Sequence, residues 1–102
     1  MDEAEIQSAA GKSLSGVIEQ GAQLYKRERM LWRLSERYSD PSVFRTTPEP
    51  QLTRNIIADL ERWIAGELNR RGSWAFDANR LIGLRQALLA EQRHLAELEG
   101  PK

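Results

Sequence analysis

A chain of 102 residues that is 40% hydrophobic and 29% charged has the composition of one globular domain, which argues against wholesale disorder. It has no cysteine, so a disulfide framework and thiolate chemistry are excluded. Formal charge is zero but uneven: net −3 over residues 1–25, net +4 over residues 26–85 and net −1 over the remainder.

The uninterrupted apolar runs are only a few residues long, too short to cross a bilayer. The opening MDEAEIQ is acidic where a signal peptide is basic and then apolar. A soluble cytoplasmic protein without membrane partners is expected. Arginine outnumbers lysine twelve to three. That bias suits carboxylate or phosphate recognition, but a GC-rich genome produces it too, so it carries no argument.

Residues 2–10 have helical composition, but Gly11, Gly16 and Gly21 weaken the region, each costing about 1 kcal/mol relative to alanine in a helix interior. Residues 1–13 are expected to form an N-terminal arm, helical or flexible, broken at Gly11 and separate from a single helical domain over 14–100. From Leu14 the spacing becomes helical. Val17, Leu24, Leu31 and Tyr38 recur every seven residues, and Leu14, Ile18, Tyr25 and Trp32 form a second row. Together the rows cover roughly 200° of a helix expected over 14–38, well beyond a normal core-facing stripe. Asp40-Pro41 ends it, because the residue before proline avoids helical geometry.

Ser39 to Thr47 reads as a loop with Val43 and Phe44 turned onto the core. Thr47-Pro48-Glu49-Pro50 is a helix start, since proline is tolerated in the first turn and an acid suits the positive end of the dipole. The helix expected over 48–71 has its apolar face at Leu52, Ile56, Ile57, Leu60, Trp63, Ile64 and Leu68, with Arg54, Asp59, Glu61, Arg62 and Arg70 off it. Gly72 stops it. Asp77 is an N-cap, Phe76 and Leu81 are spaced as a hydrophobic staple, and Gly100-Pro101 ends a third helix over 78–99. The short Gly72–Phe76 connection makes the last two helices antiparallel neighbours. The expected fold is all-α, an elongated antiparallel three-helix bundle assembled as an oligomer.

Motifs for chemistry are thin. Ala10-Gly11-Lys12-Ser13 lacks the earlier glycine and preceding strand of a phosphate loop. Glu91 and His94 have Glu-x-x-His spacing, but a di-iron bundle needs two such pairs and this chain has one histidine, so only a dimer could supply the second. His94 reads as a rim residue. No cofactor, metal site or catalytic set is expected, and the chain reads as a non-enzyme.

Polar residues interrupt the apolar stripes: Glu28, Glu67 and Arg85 read as a polar layer, with Arg85 within reach of Glu67 across the antiparallel pair. Lys26, Arg27, Arg29, Arg33 and Arg37, interleaved with aromatics, form a basic run suited to a nucleic-acid backbone. Tyr25, Leu31, Trp32, Tyr38 and Trp74 read as interface anchors. Surplus apolar helical surface on a soluble chain marks association. The leading expectation is therefore an α-helical interaction module, an oligomeric adaptor, chaperone or regulator, binding another protein through helix one and itself dimeric. A small nucleic-acid-binding regulator using the basic run is the alternative, and a metal-binding bundle assembled by a dimer is a more distant one.

Overall fold

The computed structural model describes the backbone of residues 3–100 and the side chains of residues 14–100. Pro101, expected to help end the last helix, lies outside the described residues. Helices α1 (Glu3–Leu24), α2 (Arg27–Met30), α3 (Val43–Thr46), α4 (Gln51–Asn69) and α5 (Ala78–Glu99) follow one another, with 3-10 turns at Leu31–Arg33 and Glu36–Tyr38. There is no strand among the described residues. The architecture is all-α, but the first of the three expected helices is not continuous.

The long helix expected over 14–38 is corrected on both sides. It begins earlier, because α1 runs through Gly11 without a break. It ends earlier too: Lys26 is extended (φ −129°, ψ 115°), and so is Ser35 (φ −158°, ψ 141°). Between and beyond these hinges the chain advances in short turns. Their side chains explain why. Leu31 and Tyr38 are buried in the core, and Tyr25, Arg27 and Arg37 reach carboxylates on α4 and α5. A straight helix would carry these groups past their partners, so tertiary contacts override the helical spacing.

α4 starts at Gln51 rather than Pro48, with Pro50 as its N-cap. Glu49 precedes a proline and so avoids helical geometry. Its carboxylate instead accepts the Thr53 backbone N–H (3.1 Å) and the Thr53 hydroxyl (2.6 Å), which satisfies an orphan donor of the first turn. α4 gives way at Arg70, and Gly72 takes the positive φ (88°) that turns the chain back. Asp77 caps α5 as expected, accepting from the backbone N–H groups of Asn79 (3.0 Å) and Arg80 (3.2 Å).

The core lies between α4 and α5. Leu52, Ile56, Leu60 and Ile64 of α4 meet Leu81, Leu84 and Ala87 of α5, and Leu31 and Tyr38 close the top. Val43 and Phe44 pack against it from α3, a short helix inside the stretch expected as a loop, and Phe76 does so from the α4–α5 connection. Each fully buried aliphatic side chain contributes about 1.5–3 kcal/mol relative to exposure. α1 packs on the other side of α5. Gly21 permits the close approach, since a Cβ there would lie 2.1 Å from the Gln86 side chain, whose amide donates to the Val17 carbonyl (3.2 Å). The molecule is flat, 53 × 40 × 20 Å, about two helices thick.

Candidate functional site

Three buried carboxylates organise the charged side chains. Glu91 of α5 receives Arg27 in a two-pronged pair, Nη2 to Oε1 at 2.5 Å and Nε to Oε2 at 3.1 Å, and the Tyr25 hydroxyl donates to Oε2 at 2.7 Å. Arg27 also donates to Glu49 Oε1 (2.8 Å) and to the Thr53 hydroxyl oxygen (3.1 Å). Burial opposes the charge on Arg27, but hydrogen bonds to Glu91 and Glu49 outweigh it and raise its pKa above the ordinary value. For Glu49, burial is likewise outweighed, by bonds from Thr53 and Arg27, and its pKa is lowered. The extended Lys26 is what lets Tyr25 and Arg27 reach the same carboxylate.

Asp59 is the second centre. It was expected off the apolar face of its helix, yet it is buried, because the turn Glu36–Tyr38 lies over it. Arg37 donates to Oδ2 at 2.9 Å, Arg62 donates to Oδ1 at 2.5 Å and the Tyr38 hydroxyl bonds Oδ2 closely. Burial, and then the bonds to Glu91 and Asp59, push the hydroxyl pKa values of Tyr25 and Tyr38 up. Glu67 is the third centre, paired with Arg70 (3.4 Å) and Arg80 (3.5 Å). Every buried side-chain nitrogen and oxygen among the described residues has a partner. These three centres are hydrogen-bonded ion pairs, as buried charge requires.

The expected sites divide accordingly. The polar layer is not assembled: Glu67 is buried, but Glu28 and Arg85 are exposed, and Glu67 takes Arg70 and Arg80 instead. Arg85 lies on the solvent side of α5, so it cannot turn inward to Glu67. Glu91 and His94 do not act together either. Both oxygens of Glu91 are occupied by Arg27 and Tyr25, while His94 lies 3.8 Å from Glu49. A cleft of about 380 Å³ opens over this centre, lined by the bonded Tyr25, Arg27 and Glu91 together with Lys26, Glu28, Ala90 and His94. No cluster of three or more potential ligand side chains occurs among the described residues.

Of the interface anchors, Leu31 and Tyr38 are corrected. They fill the chain's own core and offer no surface. Tyr25 is half-buried against Glu91. Trp32 is 53% exposed with the Arg33 guanidinium 5.4 Å from its ring centre, and Trp74 is 98% exposed in the α4–α5 turn. The basic run is also divided. Arg27 and Arg37 serve Glu91 and Asp59, whereas Lys26, Arg29 and Arg33 face a second cleft of about 410 Å³. Leu24, Tyr25 and Met30 form its apolar side, and no acidic side chain lines it.

Sequence reasoning placed Leu14, Val17 and Leu24 in the two apolar rows but not among the interface anchors, and they are the most exposed apolar side chains of α1 among the described residues. At about 100° per residue they span only about 80° of the helix, beside the stripe of Ile18, Ala22 and Tyr25 that meets α5. The second cleft lies at the C-terminal end of that stripe. No helix among the described residues is long and apolar enough to cross a membrane. Compared with protein-family models, curated proteins and solved structures, the chain matches none.

Proposed function

We propose that this protein is a non-enzymatic interaction module of the adaptor, chaperone or regulator type, and that it works as a homodimer joined through α1. One observation carries this reading: Leu14, Val17 and Leu24 stand exposed along one arc of α1, Leu24 at 80%, beside the flank that is packed on α5. Isolated apolar residues on a surface need no explanation, but a continuous stripe on a helix is the pattern of helix-to-helix recognition. Trp32 and Trp74 are further aromatic contacts for a partner.

The test is molar mass by light scattering over a concentration series. A dimer that becomes a monomer when Leu14, Val17 and Leu24 are all replaced by serine, with helicity unchanged by circular dichroism, supports the reading. A wild-type monomer at every concentration overturns it.

A second reading, a nucleic-acid-binding regulator, keeps one specific support: Lys26, Arg29 and Arg33 line an acid-free cleft beside the exposed Trp32 ring. Three phosphate contacts to a single-stranded oligonucleotide would give a log–log salt slope of about −2. Absence of binding at low salt removes it.

A further inference from the structure

We infer that the second cleft, where α1, α2 and α5 meet, binds a small amphiphilic anion: a dissolved molecule with one carboxylate or phosphate head and an alkyl tail. The site does not depend on association through α1. Lys26, Arg29 and Arg33 stand at helical spacing, so α2 and the 3-10 turn after it hold all three against the same cleft. No acidic side chain lines that cleft, and among the described residues none of the three cations makes an ion pair. Arg27 and Arg37, from the same basic run, instead reach buried acids at 2.5 and 2.9 Å. Three like charges gathered at one cleft repel one another and focus a positive field there, which an incoming anion relieves.

The rest of the lining selects what the anion carries. Leu24 comes from the end of α1, Met30 from α2 and Gln86 from α5. Tyr25 contributes its ring, because its hydroxyl is already bonded to Glu91 (2.7 Å). The Met30 methyl rests over Gly83 of α5, where an added Cβ would stand 3.6 Å from it. The Gln86 amide donates to the Val17 carbonyl (3.2 Å), which ties the α5 wall to α1. A volume of about 410 Å³ falls within the range of small-molecule sites, which join apolar surface to a few placed polar groups. Bare phosphate would leave Leu24, Tyr25 and Met30 uncovered. A nucleic-acid backbone, charged at every unit, brings no apolar segment to them either. An alkyl tail covers them while its head meets the cations.

Met30 is one of two methionines, so its methyl resonance, assigned by its loss in Met30→Leu, reports on the cleft in the full-length protein. Decyl phosphate and decanoate, added below their micelle-forming concentrations, should shift that resonance saturably. Inorganic phosphate should bind about tenfold or more weakly than decyl phosphate, since each buried methylene is worth about fourfold. Uncharged decyl maltoside should also bind about tenfold or more weakly, because it forms no charge-assisted bond. Lys26→Gln/Arg29→Gln/Arg33→Gln, whose changed side chains are all exposed, should weaken decyl phosphate by about tenfold or more, with helicity unchanged by circular dichroism. An unmoved Met30 resonance overturns the site. So does a triple variant that binds like wild type, or a neutral amphiphile that binds as well as the anions. Inorganic phosphate binding as tightly as decyl phosphate overturns the tail. Binding only to vesicles of anionic phospholipid, or only to a single-stranded oligonucleotide, overturns the dissolved ligand in favour of a membrane or nucleic-acid surface.

Discussion

Two neighbouring stretches of the chain, α1 and the segment from Tyr25 to Tyr38, meet the rest of the molecule in opposite ways. α1 is a regular helix that packs on α5 along one flank and leaves Leu14, Val17 and Leu24 exposed. The following segment is irregular, broken at Lys26 and Ser35, yet it is tied down at every turn. Tyr25 and Arg27 bind Glu91, Arg37 and Tyr38 bind Asp59, and Leu31 is wholly buried. Regular secondary structure and firm anchoring are therefore separate properties. Here the irregular stretch carries the buried tertiary bonds, and the regular helix carries exposed apolar side chains.

The comparison breaks most easily at Arg27, whose side chain is 14% exposed against 56% for Arg37. Arg27→Met should cost about 3–5 kcal/mol in urea unfolding, because Glu91 stays buried without its counter-charge. Adding Glu91→Leu should recover much of that loss, since two apolar groups of similar volume need no solvation. Arg37→Ala should cost clearly less than Arg27→Met, because Asp59 keeps Arg62 and Tyr38.

Packing gives the next contrast. Leu31→Ala should destabilise by about 2–5 kcal/mol through the cavity it leaves. Leu24→Ala, one step earlier in the same seven-residue row, should stay within about 0.5 kcal/mol for the monomer while weakening association. Equal costs at the two positions would mean that the row shares one environment.

Alkaline titration sharpens the account of the tyrosines. Both Tyr25 and Tyr38 have pKa values raised above the ordinary 10.0. The unfolded chain then loses these protons first, so their contribution is complete below pH 10 and declines as pH rises from there toward the folded-state values. Unfolding midpoints measured from pH 8 to 11 should fall above about pH 10 in the wild type. Replacing both residues by phenylalanine should flatten that fall at the cost of a lower midpoint near neutrality. The smallest effect lies on the acid side, where Glu49 has a lowered pKa. Its contribution is complete above its ordinary 4.5 and is lost as pH drops below that value, so Glu49→Gln should slightly reduce the acid sensitivity of unfolding.

Much of the chain after Asp40 was legible from local signals. The Asp77 cap, the Gly72 turn, the apolar face of α4 and the packing of Val43 and Phe44 all follow from residues close in sequence. Asp59 and the row Val17, Leu24, Leu31 and Tyr38 were not legible in the same way. Spacing identifies a helical face, but it does not say which side of that face another element will cover. Asp59 is buried because a turn twenty-odd residues earlier folds over it, and Glu91 is buried because Tyr25 and Arg27 arrive from 64 and more residues away.

What the sequence by itself determined is an all-α chain with capped helices, a helical hairpin at its end and surplus apolar surface near its start. These follow from backbone preferences and short-range periodicity, which act within a few residues. Only the tertiary structure decided where the first long helix breaks, which arginines pair with buried acids and which remain on the surface. Burying a carboxylate requires a partner within bonding distance, and the chain bends at Lys26 and Ser35 to bring one there.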